Sequence, residues 1–240
     1  MSERVCWRSG TPALQRVVDD ALAGTLTGRI EALRDNARRR VLAVHADGGP
    51  RLVVKHFRTL SGRHPVRERV KAALGLSGAR REWRALRALR AAGVAVPEPL
   101  AFGTLPSGDP ILVTRYVDGP PLAEARRAEP GRRTWEAVGG LIRDLHRAGF
   151  AHNDLHAENL LLSDGGPALV DLQHARRTRS WRARRKDLGR LEFGLRAVAS
   201  TPQRVRVAAT ALGLARPFGS AARRRLRAVA RAALQRADAH

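Results

Sequence analysis

Three oxygen-bearing side chains stand in the order that phosphoryl transfer requires. Asp154 and Asn159 lie five positions apart in His152-Asn153-Asp154-Leu155-His156-Ala157-Glu158-Asn159, and Asp171 closes Ala168-Leu169-Val170-Asp171 twelve residues beyond Asn159. Moving a phosphoryl group asks little covalent chemistry of a protein. It needs a carboxylate near the attacking hydroxyl, oxygen ligands for magnesium and a cation on the nucleotide phosphates. Magnesium prefers oxygen, and one or two side chains together with phosphate oxygens suffice. Asp154 suits the first task, and Asn159 with Asp171 the second. The apolar run Leu160–Leu162, a turn at Asp164-Gly165-Gly166-Pro167 and a second apolar run bring Asp171 back beside Asn159. Asp and Asn also cap turns, and Asp171 alone is an ordinary strand-end residue. The ordered set, flanked by apolar runs and preceded by a long helix, is what points to the chemistry.

The cation is expected on a strand upstream. Lys55 ends the strand-like run Arg51-Leu52-Val53-Val54-Lys55-His56-Phe57, and only three of the 45 basic residues are lysines. A lysine in so arginine-rich a chain suggests a site that wants a compact ammonium rather than a planar guanidinium. Its expected partner is Glu82, in the helix Arg80–Leu86, where pairing would orient Lys55 toward the α- and β-phosphates of ATP. A solvated helix carboxylate is the plainer reading of Glu82, and Glu68 competes for the lysine from a less regular stretch. His156 either touches substrate or stabilises its turn, and His146 is expected to be a packing residue. A metal site from His146, His152 and His156 is not expected, because magnesium chemistry accounts for the region without them.

These residues need elements to hold them. Residues 11–24 suit a short helix. Strand-like runs follow at Arg29–Leu33, Arg40–Ala46 and Arg51–Phe57, the last two joined by Asp47-Gly48-Gly49-Pro50, a good hairpin turn. After a basic loop, the spacing predicts a helix over Ser77–Ala92 that stops at Gly93. Two further strands are expected near Leu100–Thr104 and Pro110–Val117. Asp118-Gly119-Pro120-Pro121 reads as a linker, beyond which the chain turns helical at Thr134–Ala148 and from Trp181 onward. The fold class expected is α+β with two lobes: a β-rich lobe over 1–117 and a helical lobe over 118–240. The cleft between them is the default ligand site.

At 240 residues with 43% hydrophobic residues, the chain can bury the core of a two-lobed enzyme. No apolar run approaches the length of a bilayer span, and Met1–Gln15 lacks the apolar stretch of a signal peptide. A lone cysteine, Cys6, excludes an intrachain disulfide and a cysteine metal cluster. A cytoplasmic protein without a structural metal is therefore expected. The formal charge of +23 raises the question of nucleic acid. The arginines, however, are spread with alanine and leucine over helix-like stretches, and aromatics total only 4%, leaving no stacking platform. Solvated helix faces are the better reading, and no specific nucleic-acid partner is expected. Such a surface would still attract anionic lipids or a phosphorylated substrate.

The loop spacing matches the H-x-D-x-x-x-x-N of the kinase superfamily. More narrowly, the chain resembles the bacterial lipopolysaccharide core kinases, the heptose and Kdo kinase family, from about Arg40 to Phe193. The passages that carry this are Arg80–Gly103, the loop His152–Leu162, Val170–Arg177 and Trp181–Leu188. The resemblance implies a protein-kinase-like fold and ATP and Mg2+ as cofactors. It implies Lys55 and Glu82 as the nucleotide-phosphate pair, Asp154 as catalytic base, and Asn159 and Asp171 as metal ligands. Asp187 would hold the catalytic loop from the helical lobe. The acceptor implied is a sugar hydroxyl of an anionic glycolipid at the cytoplasmic face of the inner membrane, with peripheral membrane contact.

Several features depart from protein kinases. Arg34–Arg39, where a phosphate-covering loop is expected, lacks G-x-G-x-x-G, so backbone amides or arginines would have to contact phosphate. Asp171 is followed by Leu172-Gln173 rather than Phe-Gly, and Asn153 replaces the arginine that reads a phosphorylated activation loop. The reading is thus a constitutively competent kinase. Alternatives within the class are a small-molecule phosphotransferase of aminoglycoside or ketosamine type and an atypical protein kinase. Outside the class stand a pseudokinase, which has no need of Lys55, Asp154, Asn159 and Asp171 together, and a basic nucleic-acid-binding module.

Overall fold

The computed structural model describes residues 4–58, 77–128, 130–215 and 217–237. Glu68, the competing partner for Lys55, lies outside them. The described chain divides into two compact units: residues through Arg87 with Pro97–Tyr116, and Ala88–Val96 with the chain from Val117 onward.

The first unit is built on six antiparallel strands: Cys6–Ser9 (β1), Gly28–Asn36 (β2), Arg39–Ala46 (β3), Arg51–Phe57 (β4), Pro99–Thr104 (β5) and Pro110–Arg115 (β6). Their order is β1-β5-β6-β4-β3-β2. The period of two along a strand puts Leu42, Val44, Leu52, Val54, Ile111 and Val113 on one face. There they are buried with Val18 and Ala21 of the helix Pro12–Ala23 (α1). That helix starts at Thr11, whose side chain accepts a hydrogen bond from the Leu14 amide, and ends at Gly24 in the left-handed region. The opposite face carries Lys55, level with Val41 and Leu112 on the neighbouring strands. Against it lies the helix Gly78–Ala91 (α2), with the Trp83 ring 5.9 Å from that of Phe102. The Ser77 hydroxyl caps the start of α2 by accepting from the Arg80 amide, and Gly93, at φ 75°, closes its end.

The edge strand β2 runs to Asn36, further than the apolar alternation indicates, and every residue in it is exposed. The segment expected to cover phosphates is thus the tip of the β2–β3 hairpin. Its Arg38 and Arg39 amides already donate to Asn36 Oδ1 at 3.0 and 2.9 Å.

The second unit contains one turn at Ala125–Ala128 (α3), then Arg132–Arg147 (α4), Trp181–Leu195 (α5), Thr201–Ala211 (α6) and Ser220–Ala237 (α7). Helix α4 buries Trp135, Val138, Leu141, Ile142 and Leu145 on one stripe. Between α4 and α5 come four short strands: Phe150–Ala151 (β7), Leu160–Ser163 (β8), Gly166–Leu169 (β9) and Arg176–Arg177 (β10). β8 pairs with β9 and β7 with β10, both antiparallel. On the β6 side the two units divide between Tyr116 and Val117. Ala88–Val96 sits with the helical unit, where the Ala95 carbonyl accepts from the Leu169 amide at 3.0 Å. The linker Asp118–Pro121 lies along β8: the Pro120 carbonyl accepts from the Leu162 amide. Gly119, at φ 132°, comes so near that a Cβ there would stand 2.2 Å from the Leu162 carbonyl oxygen. No helix among the described residues is long and apolar enough to cross a membrane.

Candidate active site

In the first unit Lys55 and Glu82 meet. Lys55 Nζ donates to Glu82 Oε1 at 2.5 Å, with both side chains largely removed from water. The pair joins the middle of the sheet to α2. A buried ion pair contributes little to stability on its own but costs much if one partner is removed. Its value here is to fix one ammonium in place. Glu82 Oε2 is buried without a hydrogen-bond partner.

In the second unit Asp154, Asn159 and Asp171 share one loop and one hairpin. Asn159 Nδ2 donates to the Asp154 carbonyl at 2.8 Å, which leaves its Oδ1 as an acceptor or metal donor. The hairpin then works by register: Leu160 faces Leu169, and the Val170 amide donates to the Asn159 carbonyl at 3.0 Å. Asp171, the next residue, is therefore delivered beside Asn159. Asn153 and Asp171 are the two non-glycine residues with positive φ among those described, at 63° and 59°. Left-handed backbone on a residue with a side chain is sparsely populated and collects at functional sites. Beyond Asp171, Leu172–His174 form a single tight turn with Leu172 fully buried.

What holds the loop is Asp187 on α5, which is completely buried. Its two carboxylate oxygens accept from the backbone amides of His152 and Asn153, each at 2.8 Å, and Oδ2 lies 3.4 Å from His146 Nε2. The loop-holding role expected of Asp187 thus has a direct geometric basis. His146, expected to be a packing residue, is buried and also touches that carboxylate. His156 Nε2 lies 3.1 Å from Asp154 Oδ1, so its contact in this structure is with the proposed base.

Sequence reasoning assigned no positioning role to two residues. His152 is buried, and its Nε2 lies 3.0 Å from the Val170 carbonyl, tying the loop to the residue before Asp171. Because a carbonyl can only accept, Nε2 carries the proton. Burial holds the His152 pKa below the ordinary histidine value, against the opposing pull of the Val170 carbonyl and of Asp187, Asp171 and Asp154. Asn153 donates through Nδ2 to the His174 carbonyl at 3.0 Å. The signal for Asn153 was its type, since asparagine tolerates left-handed backbone far better than the arginine it replaces. No local signal marks His152, because its partner lies 18 residues away.

An antiparallel sheet with a Lys–Glu pair, and a helical unit carrying an Asp–Asn loop and an Asp-ended hairpin, define a protein-kinase-like fold. Among solved structures the chain is similar to an aminoglycoside-3'-phosphotransferase of type VIII, with a TM-score of 0.60, 17% identity, and coverage of 91% of this chain and 98% of that one. That likeness establishes the fold. The family is established by sequence: residues 26–209 match the model of the lipopolysaccharide kinase (Kdo/WaaP) family, and the chain belongs to it. It is 30% identical over 198 residues to the lipopolysaccharide core heptose(I) kinase WaaP of Pseudomonas aeruginosa, covering 72% of this chain and 71% of that protein. It is also 36% identical over 120 residues to a 3-deoxy-D-manno-octulosonic acid kinase of Xanthomonas axonopodis pv. citri, where the match spans 48% of each chain. The chain is a kinase, an ATP-using phosphotransferase with an alcohol group as acceptor.

Proposed function

We propose that this kinase moves the γ-phosphate of ATP to a sugar hydroxyl of the lipopolysaccharide inner core, on heptose or Kdo, at the cytoplasmic face of the inner membrane. The support for the acceptor is the family match over 26–209 and the names of the two relatives. The observation that carries the chemistry is the loop geometry, with Asp154 between the Asn153 amide, held by Asp187, and its own carbonyl, which accepts from the Asn159 side chain.

In this reading Asp154 accepts the proton of the attacking sugar hydroxyl, with His156 steadying one of its oxygens. Lys55, fixed by Glu82, neutralises charge on the ATP phosphates. Asn159, through Oδ1, and Asp171 supply an amide oxygen and a carboxylate, a donor set that suits magnesium and not a softer metal. Held there by Asn159 and Asp171, Mg2+ would neutralise charge on the nucleotide phosphates. The protein's own contribution is positioning. Asp187 and His152 hold the loop and hairpin together, which fixes the base and both metal-ligand candidates relative to one another.

The test is label transfer from γ-labelled ATP, using lipopolysaccharide from cells lacking this gene as acceptor, with Asp154→Asn in parallel. Loss of a positioned general base costs about 10²–10⁴-fold in rate. Label should enter the glycolipid with the wild-type enzyme, with Asp154→Asn reduced by that factor while still binding ATP. Near-wild-type turnover in Asp154→Asn would remove Asp154 from the role of base. ATP turnover that is lost in the mutant, without label in the glycolipid, would retain the kinase and discard this acceptor.

A further inference from the structure

The helical unit holds a second polar site, apart from the loop. A cavity of ≈ 410 Å³ opens where the last turn of α4, the first turn of α5, the end of α6 and the side of α7 meet. Arg143, Arg147, Arg179, Arg184 and Arg225 line it with Trp181, and no carboxylate among the described residues does. Some arginines elsewhere in the chain are paired: Arg58 with Asp35, Arg115 with Glu98, Arg204 with Glu192. Around the cavity, the described residues give Arg147, Arg179, Arg184 and Arg225 no acidic partner. Arg143 has only its own neighbour Asp144, at 3.6 Å. The Nε atoms of Arg143 and Arg184 are buried without hydrogen-bond partners. Arg184 is anchored, with one terminal nitrogen donating to the His146 carbonyl at 2.9 Å.

Five guanidinium groups around one partly enclosed space repel one another, and the repulsion grows as water is excluded. An anion with several oxygens relieves it. The fork of a guanidinium matches phosphate oxygens, and such charge-assisted bonds are about twice as strong as neutral ones. Trp181, 42% exposed, supplies an aromatic wall for whatever carries that phosphate. His146 lines the cavity and also touches Asp187, so an occupant would lie one side chain from the anchor of the catalytic loop.

We propose that this cavity binds a phosphate monoester, borne either on a soluble molecule or on a lipid. The test is calorimetric titration of the full-length protein with inorganic phosphate and with glucose 6-phosphate, against sodium chloride at matched ionic strength. Trp181 fluorescence, with Trp181→Phe as control, locates the event. Saturable binding is expected, with a fluorescence change absent from Trp181→Phe. The double variant Arg147→Gln/Arg225→Gln, both residues exposed, should weaken binding about tenfold. The charge-matched double variant Arg224→Gln/Arg227→Gln, outside the cavity lining, should bind within about twofold of wild type. Phosphatidic acid vesicles, compared with phosphatidylcholine vesicles, identify the source. Competition with glucose 6-phosphate for the Trp181 signal assigns a lipid-borne phosphate, and no competition assigns a soluble one. A response matched by chloride, or equal losses in the two double variants, would overturn the site and leave only diffuse attraction to a basic surface.

Discussion

Asp187 carries no reacting group, yet two loop amides and an imidazole meet on its carboxylate inside a dry environment. Hydrogen bonds to a charged acceptor contribute about 1.5–3 kcal/mol each, and a buried amide left without its partner costs about 1–3 kcal/mol. Asp187→Asn keeps one acceptor oxygen and replaces the other with a donor facing a donor. We predict a loss of about 2–3 kcal/mol in urea unfolding. We also predict a fall in kcat of about tenfold to a hundredfold with the nucleotide KM little changed, because small displacements of the reacting groups are costly. Loss of stability with kcat intact would make Asp187 a packing residue and detach it from the loop. Lys55 lies outside this network: its partner is Glu82 and its unit is the sheet, so Asp187→Asn leaves the Lys55–Glu82 pair where it was.

At the scale of elements, helix packing sets a different constraint. Gly139 on α4 lies so near α6 that a Cβ there would stand 2.6 Å from Thr210 Cβ and 2.7 Å from the Val207 carbonyl oxygen. Gly139→Ala should therefore destabilise, despite alanine's better helix propensity, by about 1–3 kcal/mol as the helices are forced apart. Gly140, one residue on, has only the tip of the Arg143 side chain, at 3.9 Å, near its added Cβ. Gly140→Ala should then be neutral or stabilising by up to about 1 kcal/mol, and thermal melts of the two variants side by side decide it. The sequence made most elements legible because their signals are local. The alternation in β3 and β4, the Asp47–Pro50 turn, the Ser77 and Gly93 caps and the apolar runs of β8 and β9 all lie within a few residues of what they specify. Pairings across long separations left no such mark. β1 reaches β5 with Cys6 opposite Thr104, β7 finds β10 through Ala151 and Arg176, and the Ala95 carbonyl meets Leu169. The site divides the same way. Asp154, Asn159 and Asp171 were proposed from spacing. The carboxylate–imidazole network behind them and the arginine-lined cavity depend on helices that only tertiary packing brings together.

For the whole molecule the governing quantity is a formal charge of +23 on 240 residues. If the acceptor is lipid-anchored, as proposed, the enzyme must work at an anionic surface, and a basic protein gains there about 1 kcal/mol for each arginine close to the headgroups. Helix α7 presents Arg223, Arg224, Arg225, Arg227 and Arg231 to solvent and buries Val229 and Ala233. Apart from Leu234, which is 51% exposed, its apolar side is used internally, and what it offers a membrane is chiefly charge. Such attachment must be salt-sensitive, because screening shortens the reach of exposed charges from about 10 Å at 0.1 M to about 3 Å at 1 M ionic strength. We predict that the protein co-sediments with phosphatidylglycerol-containing vesicles at low ionic strength and dissociates near about 1 M salt. It should ignore pure phosphatidylcholine vesicles. Arg224→Gln/Arg227→Gln/Arg231→Gln should need less salt for release, by an amount set by three fewer contacts at about 1 kcal/mol each. Equal binding to neutral vesicles would instead mean an apolar contact, and release at unchanged salt by the triple variant would move the membrane-facing surface away from α7.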